Sequence, residues 1–167
     1  MAAKRSINLE LGISILLVFL TAVLMFAYYS RWFSFAATVG PFRIIHYLAF
    51  IGTFYIAFGV ILFSVLKRRS PQKYATLLRV HVFGNLVAFL LVSLHFAGQL
   101  GRPVFPELGT GLALYMGMML LVGSGVVLRF RFIRSSNPQT TRFVHTGVAV
   151  AFYIVIVVHI LHGLNVF

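Results

Sequence analysis

The chain has no cysteine, no aspartate and only two glutamates among its 167 residues. Without cysteine there can be no disulfides, no thiolate-bound iron–sulfur clusters and no covalent c-type haem attachment. It also means that cysteine usage gives no clue to compartment. The shortage of acid leaves 14 lysines and arginines almost uncompensated, for a net charge of +12. On a soluble domain that balance would suggest a nucleic-acid partner. Here the basic residues lie in short segments between apolar runs, with no soluble domain to carry them, so nucleic acid is not expected as a partner. Long polar stretches are missing as well: 60% of the chain is hydrophobic and the mean hydropathy is +0.99.

That much apolar material exceeds what a soluble core of this size needs, and several runs reach the ~18–20 residues that read as a membrane span. The runs are continuous rather than alternating, which argues against a β-barrel. The expected fold is all-α and polytopic, with five transmembrane helices. They run from about Leu11 to Tyr29, Ile44 to Leu66, Val80 to Leu100, Gly109 to Leu128 and Phe143 to Leu164. The first run follows Lys4 and Arg5 as a signal peptide would. It is longer than a signal core of ~7–15 residues and no small-residue cleavage site follows, so it reads as a retained span. Ser70-Pro71, Arg102-Pro103, Pro106 and Asn137-Pro138 punctuate the loops. The chain reads as one transmembrane domain, with 1–43 forming an N-terminal span and loop and 44–167 a four-helix bundle.

Eleven basic residues fall on one side of these spans: Lys4, Arg5, Lys67, Arg68, Arg69, Lys73, Arg79, Arg129, Arg131, Arg134 and Arg142. Arg31, Arg43 and Arg102 fall on the other. The positive-inside rule then puts the N-terminus in the cytoplasm and the C-terminus outside an inner or plasma membrane. Glu10 and Glu107 lie near the two surfaces, and no span is expected to carry an acid in its interior.

Two histidine pairs stand out inside the apolar runs. His81 and His95 are fourteen residues apart in the third span, as are His145 and His159 in the fifth. Fourteen helical steps return a side chain to within roughly 40° of the same face, about 21 Å further along. The third and fifth spans run in the same direction, since the fourth brings the chain back between them. His81 lies two residues after Arg79 and His145 three after Arg142, so these two share a depth near the inner surface. His95 and His159 share one near the outer surface. A lone histidine in a span can serve as a helix-packing hydrogen bonder. Four at two equal spacings, matched in depth, point instead to axial ligands for two stacked haems. Iron held between two imidazoles transfers electrons and keeps no open position for oxygen. A metal-transport site is the competing chemistry, but it usually calls for carboxylates or thiolates as well.

Gly84 and Gly98 each follow a histidine by three residues, which suits clearance for a flat macrocycle; ordinary close helix packing would also use them. Gly117, Gly123 and Gly125 show no such offset and read as packing residues. Arg79 and Arg142 flank the inner pair, where guanidinium can bind haem propionates as well as set topology. Arg43 and Arg102 could serve the outer propionates. His46 and His162 fall near the outer surface as candidates for propionate contact, a quinone hydrogen bond or proton exchange, or as plain interfacial histidines.

The third span reads Arg79-x-His81-x-x-Gly84, then Phe89 and His95. The fifth reads Thr141-Arg142-Phe143-x-His145-Thr146, then His159 and His162. Over about Ile44 to Phe167 this resembles the haem-bearing four-helix bundle of cytochrome b from quinol-oxidising bc complexes. The paired spacing is also similar to the haem module of ferric reductases and NADPH oxidases. The resemblance implies two haem b groups, one held by His81 and His145 and the other by His95 and His159. It departs from cytochrome b in having a span before the bundle, in lacking a proline after the first histidine of the last helix, and in lacking the Pro-Glu-Trp-Tyr quinol motif. There is no flavin or nicotinamide domain, so electrons are expected to enter and leave through redox partner subunits of a hetero-oligomeric complex, or through a quinone. A self-standing reductase of an external acceptor such as ferric iron is the first alternative. A haem-free membrane anchor or metal permease is the second.

Overall fold

The computed structural model describes residues 2–102, 109–130 and 137–163, with side chains from Asn8 onward. Five long helices account for most of it: α1 (Ala2–Tyr29), α2 (Ile44–Arg69), α3 (Tyr74–Leu100), α4 (Gly109–Phe130) and α5 (Pro138–Gly163). Each is long and apolar enough to cross a bilayer. Packing divides the chain into two compact units, Met1–Pro106 and Glu107–Phe167, each described here by itself.

Three helices start earlier than hydropathy suggests, α1 at Ala2 rather than near Leu11 among them. A short 3₁₀ turn at Pro71–Lys73 leads straight into α3, so Arg79 lies well inside that helix. Pro138 opens α5 rather than breaking the chain before it. Its fixed φ suits the first helical position, and the Asn137 side chain accepts a hydrogen bond from the Gln139 amide at 2.9 Å.

The link from α1 to α2 is more ordered than a loop. α1 ends in a Schellman arrangement in which the Trp32 amide donates to the Ala27 carbonyl at 2.9 Å and the Arg31 amide to Tyr28 at 3.1 Å. Arg31 occupies the left-handed position, φ 62°, where glycine is usual. Its guanidinium donates to the Gly101 carbonyl at 3.0 Å, tying the end of α1 to the end of α3. A two-residue hairpin follows, β1 (Thr38–Val39) against β2 (Phe42–Arg43), turning at Gly40 with φ 58°. The Tyr47 hydroxyl donates to the Val39 carbonyl at 2.7 Å and pins the hairpin to α2.

In the first unit α3 is packed by both α1 and α2. Its buried stripe includes small residues, Ala88, Ser93 and Ala97, which let helix backbones approach closely. α1 turns its polar side inward: Glu10, Ser14 and Thr21 are buried, while Leu9, Leu16, Phe19 and Phe26 are exposed. This is the reverse of a soluble helix and suits a lipid surround, where polar groups seek protein partners. The Ser14 and Thr21 hydroxyls bond back to the Glu10 and Leu17 carbonyls.

α2 meets α3 closely at Gly52. A methyl group there would stand 3.0 Å from the Ala88 carbonyl oxygen and 3.2 Å from Val92 Cγ2. Gly52→Ala is therefore expected to push the two helices apart and cost about 1–3 kcal/mol. Gly59→Ala on the same helix meets only the Tyr55 ring, at 3.4 Å, and is expected to be tolerated. Thermal melting of the two variants in detergent, side by side, checks the difference.

In the second unit α4 and α5 pack antiparallel, with Tyr115 and Met118 of α4 and Phe152 and Ile156 of α5 buried. Phe152 lies against Gly117 at the middle of this pair.

Candidate functional site

The four in-span histidines divide two and two: His81 and His95 on α3 in the first unit, His145 and His159 on α5 in the second. All four are half-buried. Each expected ligand pair is thus drawn from both units.

On α5 both histidines meet hydroxyls of α4. Ser124 Oγ lies 2.9 Å from His145 Nδ1, and Thr110 Oγ1 lies 3.0 Å from His159 Nδ1. Antiparallel packing explains why two pairs form. Thr110 and Ser124 are fourteen residues apart, the same interval that separates the histidines, so one register satisfies both. Phe152 sits seven residues from each histidine, against Gly117, which is seven from each hydroxyl. Gly111 and Gly125 follow the two hydroxyl residues, and methyl groups there would stand 3.5 Å from His159 Cε1 and 3.4 Å from His145 Cε1. Small side chains thus bring the α4 backbone up to each imidazole. The Thr-Gly and Ser-Gly pairs were visible in the sequence as a fourteen-residue recurrence. Their partnership with histidine was not, because it depends on which face of α4 meets α5.

On α3 the surroundings differ. The His81 ring stacks on Phe63 of α2, with centroids 4.4 Å apart and planes 18° from parallel. Asn85, one turn further on, places its amide nitrogen 3.2 Å from His81 Nδ1 and also donates to the His81 carbonyl. An amide nitrogen only donates, so in this arrangement Nδ1 accepts and Nε2 carries the ring proton. Binding a metal through Nε2 would require the Asn85 amide to turn over. His95 meets His46 of α2, with rings 5.3 Å apart and tilted by 66°. His46 Nδ1 is buried and has no hydrogen-bond partner among the described residues. An orphaned polar atom of this kind costs free energy until something bonds to it. His162 is exposed one turn beyond His159.

The glycines expected to clear a macrocycle are covered by tyrosines of their own unit. Tyr55 lies over Gly84, where a methyl group would overlap its ring, and donates its hydroxyl to the Val80 carbonyl at 2.7 Å. Tyr28 lies over Gly98, where a methyl group would come within 2.7 Å of the ring. Close helix packing thus accounts for both.

Arg79 is engaged too. Its Nε donates to Glu10 Oε1 of α1 at 2.6 Å, in an ion pair. Glu10 is 7% exposed and lies two residues inside the first span. An acid at that depth needs its partner, so Arg79 has a structural task besides any contact with propionate. Arg142, Arg43 and Arg102 are exposed. Glu107, Arg131 and Arg134, used above to read topology, lie outside the described residues.

Among the described residues no three or more histidines or acids gather closely enough to hold a bare metal ion. A haem asks less of the protein, because the porphyrin supplies four nitrogens and leaves two positions for imidazole. On α5 the chemistry fits that demand: Nδ1 of each histidine is occupied by a hydroxyl, and neither Nε2 has a hydrogen-bond partner among the described residues.

The class that emerges is a polytopic α-helical membrane protein with paired histidines inside its spans. No family model, no curated protein and no solved structure matches the chain.

Proposed function

We propose that this protein is a di-haem b-type membrane cytochrome, the electron-carrying subunit of a larger respiratory or redox complex. His81 and His145 would hold the haem on the cytoplasmic side, and His95 and His159 the haem on the outer side. A bis-imidazole haem supplies one-electron transfer. The observation that carries the proposal is the doubled fourteen-residue spacing of histidines on α3 and α5, supported by the engaged Nδ1 atoms of His145 and His159.

The rest of the chain has work that suits this role. Arg142, Arg43 and Arg102 offer guanidinium to propionates, and Arg79 keeps its two terminal nitrogens for the same purpose while Nε holds Glu10. His46, with Nδ1 unsatisfied, and His162 offer hydrogen bonds to a propionate or a quinone. The excess of basic residues on one side of the spans supports a cytoplasmic N-terminus and an external C-terminus. Redox partner subunits or a quinone would load and unload the centres.

Purified full-length protein is expected to show a b-type reduced-minus-oxidised spectrum. A pyridine haemochrome assay against protein concentration is expected to give about two haems per chain, one for each histidine pair. A colourless preparation from haem-replete cells would sink the proposal.

A further inference from the structure

Ser124 and Thr110 are hydrogen-bond partners for histidine that spacing alone does not reveal. We propose that they are positioning residues: each fixes the proton of its histidine on Nδ1 and so turns the Nε2 lone pair toward iron. This proposal rests on the haem assignment above and deepens it.

The direction of the Ser124 bond follows from counting protons. A hydroxyl carries one. Ser124 Oγ donates it to the Leu120 carbonyl at 2.7 Å, with the Leu121 carbonyl at 3.2 Å. Toward His145, 2.9 Å away, the oxygen can then only accept. The hydrogen in that contact belongs to Nδ1. A neutral imidazole with its proton on Nδ1 has its lone pair on Nε2, the form that can ligate a metal. Thr110 stands one fourteen-residue interval away, with its hydroxyl oxygen 3.0 Å from His159 Nδ1, and the proposal gives it the same accepting role there.

Such an outer partner does more than hold the ring still. Accepting from Nδ1–H makes the imidazole a stronger donor to its metal, and loss of such partners typically weakens metal affinity by about 10- to 100-fold. α5 therefore presents His145 already in the binding tautomer. His81, facing the Asn85 amide, is held in the opposite one. For the haem assigned to His145 and His81 the asymmetry gives an order of events: His145 offers the first imidazole, and His81 joins after it.

The test uses the full-length protein and its haem. Ser124→Ala is expected to leave two haems bound, to speed haem loss from one site to an excess of apomyoglobin by about 10- to 100-fold, and to raise the midpoint potential of that haem alone. Thr110→Ala is expected to do the same at the other site. Ser124→Thr and Thr110→Ser, which restore an acceptor oxygen, are expected to return both values toward wild type, a rescue that a mere packing role would not show. Histidine-selective ¹⁵N spectra of the haem-free chain are expected to report His145 as the Nδ1–H tautomer. Haem loss rates and potentials unchanged by the alanine variants overturn the positioning role while leaving the cytochrome assignment standing. A His145 tautomer with its proton on Nε2 overturns it too. Wild-type protein that binds no haem overturns both.

Discussion

Changing His145 to alanine is expected to halve the haem content, from about two per chain to about one, and adding His81→Ala is expected to remove no more. These two histidines are proposed to grip the same iron, so the second loss strikes a site already emptied. Combining His145→Ala with His95→Ala is expected to remove both haems, because one ligand is then missing from each. The size of the effect follows from what lesser changes do. Losing a hydrogen-bond partner behind a ligand costs about 10- to 100-fold in metal affinity, and losing the ligand itself should exceed that. His162 is exposed, and His162→Ala is expected to keep both haems. Haem counted against protein in the set of variants decides the pairing. If His145→Ala with His81→Ala empties both sites, the two residues serve different haems and the proposed pairing is wrong.

Arg79→Met should produce the largest loss of stability. It strips the guanidinium from Glu10, a carboxylate that is 7% exposed inside the first span. Breaking a fully buried ion pair from one side costs about 3–5 kcal/mol. The Arg79 side chain is 48% exposed, so solvent and headgroups share part of its charge and about 2–3 kcal/mol is the better expectation. Glu10→Gln in the Arg79→Met background should recover most of that loss, since no buried charge is left to solvate. Melting temperatures in detergent measure both steps. Equal melting of Arg79→Met and wild type would show that the ion pair contributes nothing to the joining of α1 and α3.

The sequence and the structure agree where the cause is local. Hydropathy marks all five spans because each helix satisfies its own backbone within one segment, and lipid selects apolar length. The errors at the starts of α3 and α5 are also local in origin. Polar and basic residues such as Lys73, Arg79 and Arg142 lower hydropathy without stopping a helix, and proline at a first turn favours one. The hairpin at Gly40 escapes because two-residue strands leave too short a pattern to read. Side-chain partnerships escape for another reason: they depend on which face of each helix meets its neighbour. Gly84 and Gly98 keep their offset from histidine, yet Tyr55 and Tyr28 cover them. Arg79 keeps its place before His81, yet Glu10, sixty-nine residues away, holds it. Gly125, read as a packing residue, lies against His145 beside the hydroxyl that bonds it.

What the sequence determined by itself is the membrane class, the five spans and the doubled histidine interval. All three follow from hydropathy and helical geometry along a single segment. Only tertiary structure decided that Ser124 and Thr110 bond the α5 histidines, that Phe63 stacks on His81, and that Arg79 answers Glu10. Such contacts join segments far apart in the chain, and periodicity within one helix says nothing of the rotation at which another will pack against it.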